Sequence, residues 1–101
     1  MIISSQRYLD EQTVAEKSAA KDYIVTISPV FVVDGQEYQT VIDGHHSLAA
    51  AKQDGTEPTY HVATSQECDR VNLLETSIED FLALSYMDSD WYDIATGELV
   101  F

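Results

Sequence analysis

Residues 41–55 read VIDGHHSLAAAKQDG, and the reading of the fold turns on this stretch. Val41 to Asp43 closes an apolar run of strand character, Gly44 permits a sharp turn, and His45 to Gln53 follows an alanine-rich helical pattern that Asp54 and Gly55 end, with Gly55 as the cap. The chain passes from strand to helix within two residues. Such a junction aims the unbonded N–H groups of a helix's first turn at one spot, where with the helix dipole they suit an anion or a carboxylate. His45, His46 and Ser47 sit on that turn.

Upstream, YIVTISPVFVV from Tyr23 to Val33 is dense in β-branched and aromatic residues and predicts a strand, with a bulge or a sheet edge at Ser28 and Pro29 because proline removes a ladder donor. Asp34 and Gly35 suit a tight turn, and Gln36 to Ile42 returns as the second strand of a hairpin. Before the hairpin lies a short apolar start, then a helix candidate from Asp10 to Lys21 with Val14 and Ala15 on a thin apolar face.

Downstream, Thr59 to Ala63 is β-prone and is expected to rejoin the sheet beside the hairpin. Thr64 with Glu67 has the form of a capping box opening a helix through Val71, Leu73 and Leu74, and Ser77 with Asp80 repeats the signal for a helix buried through Ile78, Phe81, Leu82 and Leu84. Two short β-prone runs, WYDI and ELVF, predict a terminal hairpin. The expectation is one α+β domain spanning residues 1–101, a small mixed sheet flanked by helices.

Charge sets limits on partners. Asp and Glu number 18 against 5 Lys and Arg, a formal net charge of -13, so the field repels nucleic acid and anionic membrane surfaces and favours a protein partner with a basic face. Cys68 is the single cysteine, which excludes an intrachain disulfide and fits a reducing setting. Its acidic neighbours Glu67 and Asp69 disfavour a reactive thiolate. With no apolar run long enough to span a bilayer and no leader pattern, the expected location is the cytoplasm.

The strand, Gly44, His45, His46 and alanine-rich helix, preceded by a hairpin and followed by a short strand, resemble the nucleotide-pocket segment of the ParB/sulfiredoxin-like superfamily. The resemblance runs from about Ile24 to Val62, with its specific motif at Asp43 to Ala50. It implies that superfamily's fold and a phosphate cradle at Gly44, His45, His46 and Ser47, taking a nucleoside triphosphate with magnesium. A phage or mobile-element origin is also implied, since many small members come from there. The motif departs at Ser47, which stands where the family carries a phosphate-binding arginine. A serine offers no charge and no bidentate fork. Sulfiredoxin chemistry needs a cysteine where Gly44 stands.

Other roles follow from residue chemistry. Asp43 is expected to stabilise the turn by accepting backbone N–H bonds. Adjacent histidines on a helix point about 100° apart, so His45 and His46 do not share a metal in the i, i+4 manner, and no metal site is assigned. A histidine bonding backbone to buttress the turn is the expected role. No catalytic residue is assigned, because Ser47 lacks a patterned base. Asp88, Asp90 and Asp93 surround Trp91 and Tyr92, a pattern suited to a protein contact in which aromatics anchor and rim charges steer. The leading expectation is a non-catalytic acidic binding protein that works through protein contacts, mimicry of nucleic acid being one form such a contact takes. The alternative is nucleotide binding or hydrolysis at the Gly44 to Ser47 turn.

Overall fold

The protein is described by a computed structural model covering residues Met1 to Phe101. Its elements run β1 (Ile2–Ser4), α1 (Glu11–Ala20), β2 (Ile24–Ile27), β3 (Phe31–Val33), β4 (Gln36–Asp43), α2 (His45–Asp54), β5 (Thr59–Val62), α3 (Asp69–Thr76), α4 (Ile78–Ser85) and β6 (Tyr92–Asp93). They build an α+β fold whose mixed, six-stranded sheet has the order β5-β2-β4-β1-β6, with β3 also paired to β4. No helix is long and apolar enough to cross a membrane.

β4 is the organising strand. Its alternation sends Val41 into a cluster with Val25, Ile27, Ile94 and Leu48 of α2, while Tyr38 joins Ile3, Phe31 and Trp91 beneath α3 and α4. Ile42, on the same face as Tyr38, meets Val71 of α3. The two faces of one strand therefore hold two separate cores. Fully burying a side chain such as Phe81, which is 0% exposed, stabilises by about 2–3 kcal/mol.

β2 and β3 are one strand in effect, broken where Ser28 and Pro29 intervene. The break is hydrogen-bonded rather than loose: Ser28 N–H donates to the Thr40 carbonyl at 2.9 Å, and Thr40 N–H donates to Ser28 Oγ at 3.0 Å. The pairing of β2 with β4 also shifts register between Thr26 and Ile27. β5 joins β2 in parallel. The terminal runs close as a small hairpin, Asp93 N–H donating to the Glu98 carbonyl.

Three expectations need correction. The short apolar start is a central strand, β1, lying parallel to β4 and antiparallel to β6; three residues are too few for a periodic signal. The helix expected to open at Thr64 begins at Asp69 instead, with Cys68 at its cap position. Thr64 and Glu67 do bond, Glu67 accepting from both the N–H and the hydroxyl of Thr64, but they close an isolated turn. Leu84 is 63% exposed, and Ser85 is buried in its place. With Ile78 and Phe81 fixing the inward face, the i+7 position is Ser85 and Leu84 lies off it.

Candidate functional site

The parallel strands β1 and β4 end side by side, and α2 starts at that end. Crevices outside the carboxyl ends of neighbouring parallel strands are where α/β sheets most often hold ligands. Here the crevice is a cleft of about 480 Å³, lined among others by Gln6, Lys17, Asp22, Asp43, His46 and Ser47.

Gly44 makes the junction possible. Its φ is +94°, and a Cβ placed on it would lie 2.6 Å from the Ile24 carbonyl oxygen and 3.0 Å from Val25 Cα. α2 thus presses its N-cap residue onto the backbone of β2. Asp43 Oδ1 accepts the Gly44 N–H at 2.8 Å. The first helical bond runs from Leu48 N–H to the Gly44 carbonyl at 2.8 Å. No side chain caps the helix and no acidic residue lies in its first turn, so the N–H groups of His45, His46 and Ser47 keep the character of free donors.

The two histidines diverge. His45 Nε2 lies 2.8 Å from Ser4 Oγ, and burial pushes its pKa down to about 4, with Asp43 only partly offsetting that and His46 and Arg70 adding to it. The ring is neutral near pH 7. A serine hydroxyl on an imidazole has the outline of a nucleophile and base, but Ser4 is 1% exposed, its oxygen also accepts the Gln6 N–H at 3.1 Å, and His45 is too weak a base at neutral pH. The pair is a structural lock between β1 and α2. His46 Nε2 accepts the Asp10 N–H at 3.1 Å, tying α2 to the residue that caps α1.

This lock gives a pH dependence of defined sign. The unfolded chain protonates His45 as pH falls through its ordinary 6.5, whereas the folded chain resists until about 4. Stability is therefore complete above 6.5 and declines as pH drops towards 4, by on the order of 2 kcal/mol after a discount for the ring's partial exposure. Asp22, Asp54, Glu67 and Asp88, all held below their ordinary pKa by hydrogen bonds, lose their contribution at still lower pH. Relief of the net negative charge acts in the opposite direction. The check is a difference: urea unfolding between pH 7 and pH 4.5 should show a flatter pH slope for His45→Gln than for the unsubstituted chain.

The charges in the cleft are mixed. Lys17 Nζ and Asp22 Oδ2 pair at 3.0 Å, and the Lys17 bond is the main reason the Asp22 carboxyl lies below its ordinary range, with Ile24 N–H and the Ser47 hydroxyl adding to it. Ser47 is 2% exposed. Arg70, on α3, donates to the Ile42 carbonyl at 2.9 Å and its charge reaches His45. Lys17 and Arg70 lie 30 and 23 residues from Ser47 and carry no local motif that marks them in the sequence. Only the packing of α1 and α3 on either side of the junction brings them near.

The tract from Asp88 to Asp93 does not present the expected aromatic anchor. Trp91 is 6% exposed and belongs to the core. Asp88 accepts the N–H groups of Arg7 and Tyr8 at 2.7 and 2.9 Å, and these bonds hold its carboxyl below the usual range. Tyr92 donates its hydroxyl to the Gln6 carbonyl, with Arg7 stacked 4.2 Å above its ring. Asp93 accepts the Ala95 N–H. The tract clasps the segment after β1, and Asp90 alone keeps an exposed carboxylate with no bond to the protein. His61 pairs with Glu67 at 2.6 Å. No three His, Cys, Asp or Glu side chains converge in a metal-holding group.

No family model, curated protein or solved structure matches the chain.

Proposed function

We propose that the chain is a non-catalytic acidic binding protein, built on a ParB/sulfiredoxin-like frame, that contacts a protein partner with a basic surface. One observation carries this reading: four of the five cations are engaged by the fold, whereas only two of the 18 carboxylates have an ion-pair partner. Lys17 pairs with Asp22, Lys52 donates to the Ile94 carbonyl at 2.6 Å, Arg70 to the Ile42 carbonyl, and Arg7 lies on Tyr92. Apart from Asp22 and Glu67, no carboxylate has an ion-pair partner. An incoming partner meets a net charge of -13, and such a field speeds encounter with a basic face. The same charge makes a free nucleic acid or anionic membrane a poor partner. Asp88 and Asp90 belong to this field; Trp91 does not take part in the contact.

The uncapped start of α2 and the cleft in front of it favour a second reading, a nucleoside triphosphate held by the His45, His46 and Ser47 N–H groups with Lys17 at the rim. Magnesium would have Asp22 and Asp43 beside it. Those two carboxylates also repel the phosphates, which ranks this reading below the first.

Two measurements separate them. Calorimetric titration with CTP, ATP and GTP, each with magnesium at low salt, should give no heat up to millimolar nucleotide; micromolar binding would sink the first reading. Proteins captured by the immobilised chain at about 0.05 M salt and released at about 0.5 M should be basic. A neutral or acidic set of captured proteins would count equally against it.

A further inference from the structure

The sheet ends at β5 with an edge that nothing covers. All four of its residues are exposed, Tyr60 by 40% and Val62 by 46%. The ladder to β2 uses alternate residues: Thr59 N–H donates to the Tyr23 carbonyl and Ala63 N–H to the Ile27 carbonyl, both at 2.9 Å. In a parallel pair the intervening residues turn their N–H and C=O groups the other way, so Tyr60 and Val62 present unpaired backbone to solvent. Open edges of this kind are ordinarily blunted by lysine, proline or a bulge. From Thr59 to Ala63 the chain has none of these. The other edges are shorter: β6 is two residues long and is bridged to Leu99, and β3 is three residues long, whereas β5 offers four residues, with Pro58 before the strand rather than in it.

The surroundings of β5 select the occupant. Glu57 precedes the strand, and burial, with the Glu57 charge adding to it, raises the Tyr60 hydroxyl pKa. Glu67 stands beside His61. In register, Tyr60 and Val62 lie next to Val25 and Ile27, extending the sheet face that packs on α2. A strand added here would meet an apolar strip with Glu57 before it and, on the opposite sheet face, Glu67 beside His61. A second copy of the chain is disfavoured, because each carries a net charge of -13 and its own edge would bring the same two glutamates.

We propose that the β5 edge receives an extended, basic segment of the partner protein as an added strand, with apolar residues beside Tyr60 and Val62 and lysine or arginine near Glu57 and Glu67. The mode is β-augmentation, in which main-chain bonds supply affinity and alternate side chains supply selectivity. The inference rests on the acidic-partner reading and names the surface that carries it.

The probe is a capped peptide of alternating valine and threonine with lysine at both ends, compared with the same peptide ended in glutamate. Amide exchange followed by NMR should slow at Tyr60 and Val62 by about 10-fold or more with the lysine-ended peptide, and that peptide should bind about 10-fold tighter than its glutamate counterpart. Val62→Pro removes an outward-facing donor and leaves the ladder to β2 intact; it should weaken peptide binding about 10-fold with little change in Tm. Should that variant fail to fold, Val62→Lys serves, placing a like charge against the peptide's cations. Unchanged exchange at Tyr60 and Val62, equal binding of the two peptides, or self-association through the edge would each overturn the proposal. Salt-sensitive capture of basic proteins that survives Val62→Pro at full strength would overturn the edge and leave the acidic reading standing. Peptide protection without any such capture would support the edge and remove that reading.

Discussion

Gly44→Ala is expected to lower stability by about 3 kcal/mol or more, the largest effect of this change among the chain's four glycines. Two contributions add. The φ of +94° disfavours any L side chain by about 1–2 kcal/mol. The new Cβ also meets the Ile24 carbonyl oxygen at 2.6 Å, and overpacking against a well-packed neighbour costs about 1–3 kcal/mol. The obstacle is backbone of β2, which moves only by disturbing its pairing with β4 and β5. Gly35→Ala is the control, because its φ is +80° while nothing lies within 4 Å of its Cβ. Thermal unfolding should place Gly44→Ala roughly 15 °C below the unsubstituted chain and clearly below Gly35→Ala. Equal losses in the two variants would mean that the contact with β2 contributes nothing.

Trp91→Ala should destabilise by about 3–5 kcal/mol, the range for a large aromatic removed from a core. Trp91 shares a cluster with Ile3, Phe31 and Tyr38 and lies 6.2 Å, ring to ring, from Phe101. Its loss would open a cavity under β1, the short central strand. By contrast Asp90→Asn, one residue away and exposed, should change stability by less than about 0.5 kcal/mol. The comparison decides between a core residue and a contact residue: a urea midpoint left unchanged by Trp91→Ala would restore the aromatic-anchor reading of the tract.

The local elements of the hairpin and of α2 were legible because each rests on a short-range cause. Asp34 and Gly35 make a turn, Gly44 and Gly55 bound a helix with left-handed backbone at both ends, and Ser77 caps α4 by accepting the Asp80 N–H. The break at Ser28 and Pro29 follows equally from proline's missing donor. Where local signals misled, a longer-range partner had claimed the residue. Glu67 has the spacing of a capping glutamate, but its carboxylate is shared with His61, and the helix waits until Asp69. The acidic tract with its aromatics looks like an exposed contact, yet the segment from Ser5 to Tyr8 occupies Asp88 and Tyr92.

The site divides in the same way. That a turn with Gly44, His45, His46 and Ser47 would begin a helix, and that the chain would carry a strong negative charge, are consequences of residue identity and spacing alone. Tertiary structure decided everything that depends on which segments meet: β1 beside β4, Ser4 on His45, Asp10 on His46, Lys17 and Arg70 on either side of the junction, and β5 left as an open edge. The reason is physical. Backbone conformation and net charge are set within a few residues or by simple composition, whereas desolvation, ion pairing and edge exposure depend on contacts across the chain, and no local pattern carries them.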